Sequence, residues 1–263
     1  MLIVDRISYA YPSRKGNSSN AIDSVSFECE SGSMVLLTGS TGSGKTTLLQ
    51  LLCGLRRPQS GSVSFGSLDS PYRDSTMVFQ YPEECFFNAT VREEVLFSLK
   101  EGKMPGADDI YGKIMDRCGL DLAEYSSRSP LGLSGGEQRR VAFAAVIGLY
   151  RNMLLLDEPA SGLDNEGIES IRGIVRSERA EKRTVFVSTH WPANFIDLAS
   201  HVARLNAGRL EFFVTVDEYI DGELFPREME TKEGFMIAFY RSLGRFPVDD
   251  NELLNFARGV ESC

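Results

Sequence analysis

The run Gly39-Ser40-Thr41-Gly42-Ser43-Gly44-Lys45-Thr46 constrains this chain more than any other, because it fits the pattern G-x-x-x-x-G-K-[ST]. It follows Met34-Val35-Leu36-Leu37, a continuous apolar run of the kind that forms a strand buried on both faces. A helix candidate, Thr46 to Cys53, comes next. Strand, glycine-rich loop and helix in that order predict an α/β sheet with a phosphate cradle at its edge. Small residues let backbone N–H groups close around phosphates, the helix N-terminus adds partial positive charge, and Lys45 supplies a point charge. Thr46 offers a hydroxyl to Mg²⁺, and Gly39 through Thr47 are the candidate nucleotide-binding residues. The loop alone suits a kinase, a GTPase or an ATPase equally.

A second feature narrows the chemistry. Leu154-Leu155-Leu156 delivers Asp157 and Glu158 at the C-terminal end of an apolar run, where open α/β sheets place their ligands. Successive strand residues point to opposite sides, so the two acids divide the work. Asp157 suits Mg²⁺, and Glu158 suits the polarising of an attacking water. Between this run and Val185-Phe186-Val187 lies a helical stretch, Asn165 to Ala180, and β-α-β alternation predicts a parallel sheet. Short β-rich runs from Leu2 to Leu37, broken by the polar segment Ser13 to Asn20, predict antiparallel strands at the start of the chain. Helical spacing from Ala107 to Leu149 predicts a helical subdomain, bounded at about 88–150.

Composition removes several classes. The formal net charge of −9 opposes general attraction to nucleic acid or anionic lipid. The five cysteines are scattered with no C-x-x-C pair, and only His190 and His201 could join them in a metal site, so free thiols are expected. The longest apolar stretch, Val141 to Leu156, is interrupted by Arg151 and Asn152 and is shorter than the ~20 residues of a membrane span. Asp5 and Arg6 break the opening apolar run, which predicts a chain that stays in the cytoplasm. The sequons at Asn17 and Asn88 are accordingly expected to go unused.

Leu133-Ser134-Gly135-Gly136-Glu137-Gln138 decides the class, since it resembles the signature motif of ATP-binding cassette proteins. Ser134 also suits the N-cap of the helix that it opens. Other cassette motifs follow in order: Tyr11 resembles the aromatic that stacks on adenine, Gln80 the Q-loop glutamine, Ser161-Gly162-Leu163-Asp164 the D-loop, and His190 the switch histidine. The resemblance covers residues 1–214 and implies a P-loop NTPase core with an N-terminal antiparallel β subdomain and a helical signature subdomain. It implies two cassettes sandwiching two ATP molecules, each held by the phosphate loop of one subunit and by Ser134, Gly135, Gly136 and Glu137 of the other. Glu158, His190, Gln80 and Lys45 are then the catalytic set, and Thr46, Gln80 and Asp157 the Mg²⁺ set.

Val78-Phe79-Gln80-Tyr81-Pro82-Glu83 resembles the Q-loop of the energy-coupling factor ATPases, which drive vitamin and metal-ion uptake; Asn88-Ala89-Thr90-Val91 and Ser134 to Ala144 resemble the same group. That implies a subunit at the cytoplasmic face of the membrane, paired with a transmembrane partner. The surface around Gln80, Tyr81 and Phe86 is expected to receive a helix of that partner, the alternative being that the aromatics Phe79, Tyr81 and Phe86 are ordinary core. The companion cassette, identical or distinct, stays open. The competing class is a soluble cassette ATPase acting on a macromolecular complex, which usually carries a coiled-coil insertion or two cassettes in one chain. A non-hydrolysing regulatory module is disfavoured by Lys45, Glu158 and His190. Residues 215–263 are expected to form a small helical extension, whose Phe235, Met236, Phe239 and Tyr240 would pack on the chain's own domain or on a second subunit, the latter slightly preferred.

Overall fold

The computed structural model describes residues 1–12, 20–66, 74–102, 105–221 and, nearer the C-terminus, 236, 239–241, 243–244, 247 and 251–255. The segment 13–19 with its sequon, Phe235 and Cys263 lie outside the described residues.

Two sheets carry the chain. In the first, β1 (Leu2–Ala10) pairs antiparallel with both β2 (Asn20–Cys29) and β4 (Ser60–Phe65). The expected antiparallel start is therefore present, but its third strand comes from beyond the phosphate loop. The second sheet has six strands. Its order is β5 (Ser75–Val78), β6 (Met153–Asp157), β7 (Thr184–Ser188), β3 (Met34–Thr38), β8 (His201–Asn206) and β9 (Arg209–Thr215). The pairings are parallel except between β8 and β9, which form a hairpin.

Strands β3, β6 and β7 are buried at every position, because alternate residues enter different cores. Met34, Leu36, Leu154, Leu156, Val185 and Val187 pack towards the helical side. Val35, Leu37, Leu155 and Phe186 pack with the antiparallel sheet and helix α1 (Lys45–Leu52). This two-sided burial is why the strands read as unbroken apolar runs.

The helical subdomain comprises α2 (Val91–Glu101), α3 (Ala107–Arg117), α4 (Leu122–Tyr125) and α5 (Gly135–Ile147). Capping boxes start α2 at Thr90 with Glu93 and α5 at Ser134 with Glu137, which satisfies N–H groups that a helix start leaves open. Glu94 accepts from Phe87 N–H, Asn88 N–H and the Asn88 side chain at 2.9–3.3 Å, fixing the approach to α2. Helix α6 (Asn165–Ala180), capped by Asp164, spans the range read from the sequence.

After β9 comes α7 (Val216–Asp221), whose Tyr219 is buried in the main core. Met236 and Phe239 are also buried, against Trp191 and Ala193. These two side chains therefore pack on the chain's own domain, which corrects the preference for a subunit contact there. Cys29, Cys53, Cys85 and Cys118 are free, as expected.

Candidate active site

Parallel register brings three strand ends together. β7 lies between β3 and β6, so the loop after β3, the acids ending β6 and the polar end of β7 converge at one edge. That is the place where open α/β sheets bind ligands.

Glycine is required twice in the phosphate loop. Gly39 has φ 135° and a side chain there would lie 2.2 Å from Leu205 O; Gly44 has φ 107° and would meet Ala21 O at 2.5 Å. Both combine left-handed backbone with close approach, so the loop is clamped by strands on either side. The β8–β9 turn adds a further brace through Gly208 N–H to Ser43 O at 2.9 Å. Lys45, almost fully buried, donates to Gly39 O at 2.8 Å and Ser40 O at 3.2 Å.

Thr46 Oγ1 donates to Asp157 Oδ2 at 2.7 Å, and Ser188 Oγ donates to Asp157 Oδ1 at 2.6 Å. A hydroxyl beside a fixed carboxylate is a donor set for a hard cation that keeps most of its shell as water and phosphate oxygen, so these residues fit Mg²⁺. Among the described residues no cluster of three or more His, Cys, Asp or Glu forms a protein-only cage.

Glu158 occupies the left-handed region at φ 48°, unusual for a residue with a Cβ. Its N–H is held by Ser188 Oγ at 2.9 Å and Ser188 O at 3.2 Å. This turn sets the carboxylate between two cations or potential cations, with Lys45 Nζ at 3.8 Å and His190 Nε2 at 2.9 Å from Oε1. Burial pushes the Glu158 carboxyl above its ordinary 4.5, against the opposing pull of His190 and Lys45. If Glu158 serves as the base, it must be unprotonated to work, and kcat/KM for ATP, which reports the free enzyme, should fall on acidification with a midpoint above the ordinary carboxylate range. A pH–rate profile whose acid limb persists unchanged in Glu158→Gln would assign that limb to another group.

The sequence-derived residues thus fall into groups. Lys45, Thr46, Asp157, Glu158 and His190 are brought together. Tyr11 joins through its hydroxyl, 3.1 Å from Thr47 Oγ1. Gln80 is held through its carbonyl, and among the described residues its side-chain amide makes no hydrogen bond to Thr46 or Asp157. Ser134 to Gln138 hydrogen-bond within the helical subdomain: Glu137 accepts from Ser134 N–H and Oγ at 2.7 Å and from Tyr125 at 2.8 Å. Those bonds hold the Glu137 carboxyl down at about 2. A side chain at Gly135 or Gly136 would meet nothing within 4 Å, so the start of α5 is an open surface.

Two residues escaped the sequence reading. Ser188 orients both acids, and the available signal was a polar residue ending a two-faced apolar strand. Arg139 is 5% exposed, and its guanidinium donates to Gln80 O at 2.9 Å and Ser161 O at 2.6 Å, tying the signature helix to the Q-loop and the D-loop. The sequence offered no local signal for it: Arg139 stands in the polar run Glu137-Gln138-Arg139-Arg140, and of these the fold buries only Arg139, where its charge must be paired.

The family description "ABC transporter" matches residues 22–161. The energy-coupling factor transporter ATP-binding protein EcfA2 of Thermotoga maritima is 36% identical over 244 residues, which are 89% of this chain and 90% of that protein. The fold is shared with the ATP-binding cassette MJ0796, solved as a post-hydrolysis dimer with ADP and Pi, at TM-score 0.72 and 24% identity over 82% of this chain and 99% of that one. It is shared equally with cbiO1 of Clostridium perfringens, at TM-score 0.73 and 23% identity over 91% and 98%. With the phosphate loop, paired acids and signature helix in the arrangement described, the chain belongs to the ABC transporter family and is an ATP-binding, ATP-hydrolysing subunit of it.

Proposed function

We propose that this chain powers an energy-coupling factor importer of a vitamin or metal ion, as a peripheral subunit at the cytoplasmic face of the membrane. The observation that carries the subgroup is the likeness to an EcfA2 protein over nine-tenths of both chains. Among the described residues no helix is long and apolar enough to cross a membrane, so a transmembrane partner would provide the path. The soluble-complex alternative finds no comparable support.

In this reading Tyr11 stacks on adenine, the backbone of residues 39–47 and Lys45 hold the phosphates, and Glu158 accepts the proton of the attacking water. His190 orients the γ-phosphate, and Gln80 senses it at the metal. Thr46 and Asp157 hold Mg²⁺, which supplies charge neutralisation on the phosphate oxygens when bound. Ser134, Gly135, Gly136 and Glu137 serve the site of a companion cassette, identical or distinct. Residues 1–214 form the ATPase domain and 215–263 an extension to it.

The partner surface needs one revision. Phe86 is partly buried against the main core, whereas Phe79 and Tyr81 are exposed and Phe87 is 66% exposed. Phe87 packs edge-to-face on Phe97 with ring centroids 4.9 Å apart. An exposed aromatic pair beside the Q-loop is the apolar surface that a helix of the transmembrane subunit would cover. When the chain is co-expressed with its transmembrane partner, Phe87→Glu should lose most co-purification while the isolated subunit hydrolyses ATP as before. Undiminished co-purification would place the contact elsewhere.

A further inference from the structure

Arg56, just past the end of α1, has no part in the site described above. Its Nε donates to Gln50 Oε1 at 2.5 Å and its Nη1 to the Tyr9 hydroxyl at 2.9 Å. The guanidinium carbon then lies over two rings, 4.7 Å from the Tyr11 centroid and 5.5 Å from the Tyr9 centroid. The rings themselves meet edge-on, at 89° and 5.2 Å. Nearby, Gln59 pins the backbone before Tyr11 twice, accepting from Ala10 N–H and donating to Ala10 O, each at 3.1 Å. Tyr11 nonetheless remains 40% exposed.

We propose that Arg56 is a positioning residue for the nucleobase: it clamps one face of Tyr11 so that the other is presented, at a fixed distance from the phosphate loop, to adenine. The geometry refers the ring to α1, the helix that the phosphate loop opens. Thr47 in its first turn holds the Tyr11 hydroxyl, and Gln50 further along holds Arg56. Base platform and phosphate cradle are thus built on one rigid element, and a nucleotide that reaches both meets a preset span. A cation behind the ring also draws electron density from it, which favours an electron-rich purine on the open face. The inference rests on the reading of Tyr11 as the base-stacking ring.

Calorimetric titration of the full chain with ADP and, separately, with inorganic tripolyphosphate, both with Mg²⁺ present, tests it. Arg56→Ala should weaken ADP binding about three- to tenfold, the range of an exposed to partly buried cation–π contact plus lost ring order. Tripolyphosphate binding should stay within twofold, since it never meets the ring. Arg56→Lys should recover part of the loss. Arg56→Gln keeps a hydrogen-bonding side chain without the charge and should reproduce the split even where Arg56→Ala folds poorly. Equal weakening of both ligands would overturn the proposal, placing the effect in α1 and the phosphate loop. Unchanged ADP binding in Arg56→Ala and Arg56→Gln would overturn it too. Tyr11→Ala then separates the causes: if it weakens ADP alone, the base-stacking reading stands without Arg56; if it changes nothing, that reading falls as well.

Discussion

Glu158→Gln is expected to bind ATP within a few-fold of the parent and to turn it over at least 10²-fold more slowly, the scale of a lost general base. An amide of nearly the same shape keeps the contacts that matter for binding. Asp157 retains its bonds from Thr46 and Ser188, and the Ser188 contacts to the backbone N–H of residue 158 are indifferent to the side chain. What disappears is the capacity to accept a proton. Binding and chemistry should therefore separate, and a dimer held together by ATP should become slow to open because ATP persists in it. Gel filtration with Mg-ATP should show association, with itself or with a companion cassette, that is reversed on removing nucleotide. Full turnover in this variant would remove Glu158 from the base role, and loss of binding would mean that the substitution had disturbed the site.

Lys45→Ala should reduce hydrolysis to background. In the structure Nζ bridges Gly39 O and Ser40 O with Glu158 at 3.8 Å, so the ammonium sits at the mouth of the loop within reach of that carboxylate. On the proposed assignment its loss removes charge-assisted bonds to the β- and γ-phosphates, in a site where little water can replace them. It also leaves the partly buried Glu158 with one counter-charge fewer, which raises that carboxyl further and changes the electrostatics around it. The effect thus acts on binding and on chemistry together, unlike Glu158→Gln. Parental turnover in a Lys45→Ala protein whose melting curve matches the parent would refute the phosphate-loop assignment.

Much of this was legible in the sequence because the strands carrying the chemistry are buried on both faces. Met34–Leu37 and Leu154–Leu156 are apolar without interruption, so Gly39 and Asp157 mark their ends unmistakably. Asn165–Ala180 was legible as the helical stretch between two apolar strands. Strand β4 was not: Ser60-Gly61-Ser62-Val63-Ser64-Phe65 is mostly serine and glycine, and its pairing with β1 depends on register across distant sequence. Phe86 and Phe87 are adjacent and chemically identical, and only the turn before α2 decides which one is partly buried. Arg139 and Ser188 act through contacts 22 to 59 residues away, which local pattern does not encode.

The left-handed backbone at Glu158 sets durability against function. For an L-residue that conformation costs about 1 kcal/mol, which glycine would avoid. Selection for a sturdier fold alone would therefore favour losing this side chain, while the proposed role of Glu158 in turnover would hold it in place. At this position the most comfortable sequence for the fold and the working sequence for the enzyme are different sequences.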